Sequence, residues 1–248
     1  MSTQPLVSPT PVRHPAVPCD PAGRVARSLL GYGVLAGPLY VTVVLAQARL
    51  RPGFALAHDD ASLLANGALG WIQRANFAVT GLMVIACAVG IGRALASGRG
   101  ATWAPRLLSL YGAGLIGAGI FAADPMNGFP PGTAAGRPVA VSLPGTLHLV
   151  AAGLGFLGLI AATVVLARRF AARGARGWAA GSYATGLLFL AGFAGLASGS
   201  SSAAVVLGFW VALLVTWGWL AAVAVRLYRE VGASRPEART PAMAGRQP

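Results

Sequence analysis

The sequence predicts an all-α membrane protein: a polytopic bundle of six transmembrane helices with both termini cytoplasmic. Three observations carry this reading. Hydrophobic residues make up 56% of the 248 and charged residues only 10%, where a soluble domain has roughly 25% charged. The apolar residues fall in six long blocks, each near the roughly 20 helical residues that cross about 30 Å of hydrocarbon. The arginines gather in alternate connections between those blocks. Helices, not barrel strands, are expected, because backbone groups in lipid must pair internally and the blocks lack strand-like alternation.

Taken in order, residues 1–27 carry Pro5, Pro9, Pro11, Pro15, Pro18 and Pro21 and read as a disordered cytoplasmic tail. Cys19 follows "AVP", faintly like a lipoprotein cleavage site, but no apolar stretch precedes it, so the first span is expected to serve as the insertion signal. Cys87 falls inside a span, which makes a disulfide to Cys19 implausible. The transmembrane domain is expected over 28–228, with spans at 28–47, 71–96, 105–123, 144–167, 178–196 and 203–228. Pro38 lies within the first span and should kink it. Small residues four apart, such as Gly33 with Gly37 and Ala151 with Gly155, suit close helix packing within one chain. Trp71, Trp103 and Trp178 stand at span ends, as aromatic belts do. Phe209, Trp210, Trp217 and Trp219 crowd the last span as a packing or lipid-facing stripe. Residues 229–248 read as a second disordered tail.

All 19 basic residues are arginine, a bias that a high-GC bacterial genome would give. Without lysine there is no Walker lysine and no retinal Schiff base. Fifteen arginines lie in the tails and in the second and fourth connections; only Arg49, Arg51, Arg74 and Arg137 lie on the other side. The positive-inside rule then puts both termini in the cytoplasm of a bacterial plasma membrane. The +13 net charge is thus a topology signal, and nucleic acid is not an expected partner; the lipid bilayer is.

The outer side collects the chemistry. The first outer connection holds His58, Asp59, Asp60 and Ser62, and the second opens on Asp124 and closes near His148. Asp124 ends the third span at the membrane boundary, since about 1.5 Å per residue from Pro105 carries the chain across. An acid there opposes the helix macrodipole, so a cation, Arg74 or His148, is expected beside it. Gln73, Asn76 and Thr80 share one face of the second span and should turn into the bundle, with Arg74 beside them. These residues predict an outward-opening polar pocket between the second, third and fourth helices, with His58, Asp59, Ser62, Gln73, Arg74, Asn76, Asp124 and His148 as candidate ligand-binding residues.

"HDDASLLANGALGWIQRANF", "GIFAADPMNGFPPGT" and "SLPGTLHLVAAG" resemble the domain of unknown function 998 family, bacterial six-span membrane proteins. The resemblance covers about residues 29–227. It implies the six-helix fold and supplies no reaction.

The function expected is binding or sensing of a small polar molecule or a lipid headgroup. A membrane-embedded hydrolase or transferase, metal-dependent through His58, Asp59, Asp60, Asp124 and His148, is the alternative, as is a small-solute transporter. No catalytic motif is established, no firm metal-ligand spacing is present, and no cofactor is expected.

Overall fold

The computed structural model describes residues 21–233. Six long helices follow in order: α1 (Pro21–Leu50), α2 (Gly70–Leu95), α3 (Trp103–Ile120), α4 (Leu143–Ala172), α5 (Arg176–Ala197) and α6 (Ala203–Ala233). A short 3-10 helix, Ala61–Ala65, lies in the α1–α2 connection. Among the described residues no strand is formed, only an isolated bridge between Met126 and Phe129.

Five of these helices are long and apolar enough to cross a membrane. The helix that falls short is α3, with 18 residues and Trp103, Pro105 and Arg106 in its first turn. Large apolar side chains cover the outside of the bundle: Leu82, Leu149, Leu187 and Leu207 are among many that are exposed. A soluble monomer rarely shows so much contiguous apolar surface.

The helices form a closed ring. Each packs on the next, α6 returns to α1, and α2 also reaches α6. Glycines set the closest approaches. A Cβ at Gly114 would strike the backbone of Ala151 and Gly155 at 2.7 Å, and one at Gly81 would meet Gly112 O at 2.5 Å. The α2–α3–α4 layer is therefore held by backbone-to-backbone contact. Gly33 and Gly37 serve α1 in the same way, against Cys87 and Trp217. Trp217 packs at the centre on Tyr40 and Tyr111, with ring centroids 5.5 and 5.9 Å away.

Several boundaries differ from the sequence reading. Residues 21–27, expected as tail, form the first turns of α1. Pro21 begins that helix, a position where its missing N–H costs nothing, and Arg27 lies 4.2 Å over the Tyr228 ring of α6. Likewise 229–233 continue α6, where Glu230 bonds Arg226 at 2.8 Å. The rest of both tails, with Cys19, lies outside the described residues. Pro38 sits inside α1 without ending it, on the exposed side. The third helix stops at Ile120, before Ala123, and Phe121 turns extended.

At the end where α2 meets α3, Arg169 of α4 is 3% exposed. It donates to Leu95 O, Ser97 O and Arg99 O at 3.2, 3.0 and 2.7 Å. A positive side chain on the last carbonyl of α2 and on two carbonyls of the connection after it satisfies acceptors there and complements the helix dipole.

Candidate functional site

The opposite end of the bundle carries the two long connections, and there the predicted residues separate into three groups. The first is a polar chain inside the helices. Gln73, Asn76 and Thr80 are buried, as the shared face required. Gln47 of α1 donates to Gln73 Oε1 at 2.9 Å, Asn76 donates to the same atom at 3.3 Å, and Thr80 donates to Asn76 Oδ1 at 3.3 Å. Asn76 also reaches Tyr40 O at 3.3 Å. This chain ties α1 to α2.

The second group closes the α3–α4 connection, and it corrects an expectation. Arg74, Asp124 and His148 do not pair. Arg74 donates to Gly119 O and Ile120 O at 2.9 and 2.7 Å. His148 Nδ1 donates to Phe121 O at 2.8 Å and to Ala118 O at 3.2 Å. Both side chains therefore cap the open carbonyls at the end of α3, which lack intrahelical donors. Asp124 belongs instead to the start of α4. Its carboxylate accepts from Ser142 N–H at 2.9 Å and from Ser142 Oγ–H at 2.5 Å. Ser142 is the N-cap and accepts from Gly145 N–H at 3.0 Å. A Cβ at Gly145 would collide with the Asp124 carboxylate, so the glycine keeps that seat open. The offset for the acid is thus a helix N-terminus, not a cation. Because the chain leaves α3 at Ile120, Asp124 escapes the unfavourable end of one helix and reaches the favourable end of the next.

The third group surrounds a cavity of about 500 Å³, within the roughly 300–1,000 Å³ of small-ligand sites. Its location also corrects the sequence reading. It lies inside the ring, lined from α1, α3, α4, α5 and α6, and α2 contributes Phe77. Of the eight candidate residues, His58, Ser62 and His148 line it; Asp59, Gln73, Arg74, Asn76 and Asp124 do not. The polar stripe missed the cavity because it is consumed in joining α2 to α1.

The mouth is polar. His58, Asp60, Ser62, Asn127, Arg137 and Ser201 line it from three different connections. His58 links them: Nδ1 donates to Ser201 O at 3.4 Å, and His58 O accepts from Asn127 Nδ2 at 3.3 Å. Asp60 caps the 3-10 helix, accepting from Ser62 N–H at 2.9 Å and from Ser62 Oγ–H. Arg137 makes no hydrogen bond or ion pair among the described residues, and its guanidinium lies where a Cβ on Gly199 would sit. The interior is apolar and aromatic, with Tyr40, Tyr111, Phe156, Phe193 and Phe209. Phe156 stacks edge-on against Phe193, centroids 5.2 Å apart. His148, 4% exposed, stands between the two zones. With Nδ1 on the α3 carbonyls, Nε2 is its uncommitted nitrogen.

Asp59 is buried outside the cavity wall. Its Oδ2 accepts from Ala55 N–H at 2.7 Å, and its Oδ1 is buried without a hydrogen-bond partner. Burial raises its proton affinity, and the Ala55 bond works against that rise. Among the described residues no three His, Cys, Asp or Glu side chains come together as a metal-ligating group.

The sequence reading does not place Arg137, Ser200, Ser201 or the five aromatics in a site; it uses Arg137 only for topology and Phe209 only for packing or a lipid-facing stripe. Sequence position gives no signal for this grouping, because Phe156 falls near the middle of its expected span and Phe193 and Phe209 near the outer ends of theirs.

The quoted loop motifs now have physical roles. Arg51 donates to Leu64 O and Asn66 O, both at 2.5 Å, and lies 4.7 Å over the Phe129 ring. Phe54 meets the same ring edge-on at 5.3 Å. The "GFPPG" turn is therefore the floor on which the first connection folds. No curated protein and no solved structure matches the chain. A family profile matches residues 34–226, all but the first turns of α1 and the end of α6 among the described helices. The chain belongs to the family described as protein of unknown function (DUF998).

Proposed function

We propose that the protein is a binding or sensing protein of the bacterial plasma membrane, and that its central cavity takes a small amphiphilic molecule from the outer face. The observation that carries this is the division of the cavity: a polar mouth from three connections above an aromatic interior. Such a lining suits a lipid or lipid-like molecule better than the small polar molecule that the loop residues alone suggest, because buried apolar walls reward apolar area. In this reading all six helices cross the membrane. At about 1.5 Å per residue the 18 residues of α3 reach about 27 Å, close to the hydrocarbon thickness. Its seat in the ring between α2 and α4 supports the same depth. The arginine distribution supports cytoplasmic termini and a cavity mouth that opens outside.

Gly153 lines the cavity, and a Cβ there meets nothing nearer than Phe193 at 3.9 Å. Gly153→Phe should therefore fill the cavity while leaving the ring intact. Native mass spectrometry of the full chain released from nanodiscs is expected to find one small-molecule adduct on the wild type and none on the variant. Equal adducts on both would remove the cavity as the binding site.

A further inference from the structure

We propose that the cavity selects a single-chain amphiphile with an anionic headgroup, and that Arg137 is the residue that reads the charge; this rests on the cavity being a binding site.

Three features point the same way. The first is the cation at the mouth. Arg137 carries five N–H donors on a permanently charged group, and none is used within the described residues. Asp60 is the one acidic side chain lining the mouth. It is no partner for Arg137, since the two do not come within 4.0 Å. One oxygen of its carboxylate, Oδ1, is held by Ser62 N–H and Oγ–H at the 3-10 helix. The mouth thus has a guanidinium with free donors that its one acid does not pair. A carboxylate or phosphate offers acceptors to these donors and matches the guanidinium fork.

The second feature is a polar atom further in. His148 Nε2 remains uncommitted in a side chain that is 4% exposed. It can accept from a ligand hydroxyl or a water just below the headgroup. The third is the shape beyond it. On α4 the lining runs from His148 to Phe156, eight residues or about 12 Å of helix. On α3 it runs from Ala118 to Tyr111, about 10 Å. Past His148 the lining on α3, α4 and α6 is apolar apart from the Tyr111 hydroxyl. A cavity of about 500 Å³ with that depth has the form of a slot for one chain.

The test uses the full chain in nanodiscs of zwitterionic lipid with four probes of equal chain length: dodecanoate, dodecyl phosphate, dodecanol and dodecyltrimethylammonium. Saturable binding is measured by displacement of radiolabelled dodecanoate, with ligand-induced shifts in thermal unfolding as a second readout. Dodecanoate and dodecyl phosphate should bind at least about tenfold more tightly than dodecanol, and the cation should not compete. The better of the two anions separates a fatty acid from a lysophospholipid-type ligand. Arg137→Gln should bring the anions to the level of dodecanol and leave dodecanol unchanged; Arg137→Lys should restore much of the preference. Arg137 is on an exposed loop, so ligand-free unfolding should match wild type in both variants. If dodecanol binds as well as the anions, or Arg137→Gln leaves the preference intact, the charge selection is wrong while the cavity reading stands. If Gly153→Phe, unfolding like wild type without ligand, still binds every probe normally, the cavity reading itself falls.

Discussion

Removing the Asp124 carboxylate should loosen the α3–α4 connection by a definite amount. Two hydrogen bonds end on it, both from the N-cap Ser142, at 2.9 and 2.5 Å. A hydrogen bond to a charged group contributes about 1.5–3 kcal/mol, and the half-buried setting of Asp124 argues for the lower end. The charge at the α4 N-terminus adds roughly 0.3–1 kcal/mol. Asp124→Ala is therefore expected to cost about 3–4 kcal/mol, and Asp124→Asn, which keeps one acceptor, about 1 kcal/mol. Ser142→Ala removes the cap to Gly145 together with one Asp124 bond, and should cost about 1–2 kcal/mol. Because the two residues share a bond, the double variant should cost about 1 kcal/mol less than the sum. The assay is reversible denaturant unfolding of the purified protein in mild detergent, with limited proteolysis of the connection between 121 and 142 alongside. An Asp124→Ala cost below about 0.5 kcal/mol, the range of an ordinary surface change, would refute the reasoning, as would strict additivity with Ser142→Ala.

The remaining expectations concern packing, charge and topology. Arg169→Leu takes a donor from Leu95 O at the end of α2 and from Ser97 O and Arg99 O in the connection after it and should cost at least about 3 kcal/mol in the same unfolding assay, with Arg169→Lys recovering only part. Gly114→Ala forces a Cβ to 2.7 Å from the Gly155 backbone and should cost about 1–3 kcal/mol. Gly208→Ala, with open space around it, should be neutral or stabilising by up to about 1 kcal/mol; the reverse ranking in thermal melts would contradict the glycine-set approach of α3 and α4. Asp59 has its carboxyl raised by burial, so the folded protein binds that proton more tightly than the unfolded chain. Its contribution is favourable below the ordinary carboxylate value and is lost as pH rises through the raised one. Asp59→Asn keeps an acceptor for Ala55 N–H and should flatten this part of the stability profile, as read from melts between about pH 4 and 7. Reporter fusions at Arg99, Arg173 and the C-terminus should give cytoplasmic signals, and one at Arg137 a periplasmic signal; a periplasmic C-terminus would invert the cavity.

The sequence by itself determined the helices and the burial of their polar face. Apolar blocks of span length have few solutions, since an unpaired backbone is too costly in lipid. Gln73, Asn76 and Thr80 follow helical spacing, so one rotation of α2 buries all three, and they are buried. Partner choice was not legible at that level. Periodicity fixes which side of a helix faces inward, but not which residue stands opposite, because that depends on neighbouring helices' rotation, depth and exit points. Asp124 illustrates the difference. Its place just beyond the third helix followed from length, yet α3 ends three residues earlier than its apolar block, and the chain then carries the acid to Ser142 rather than to a cation. Arg137 and Ser201 lie 64 residues apart in sequence and meet at one mouth because α4 and α5, which follow and precede their connections, pack side by side. The cavity itself is a property of the ring's closure: six helices around a centre leave a space that no single helix encodes, and its chemistry is whatever the inward faces and three folded connections bring to it.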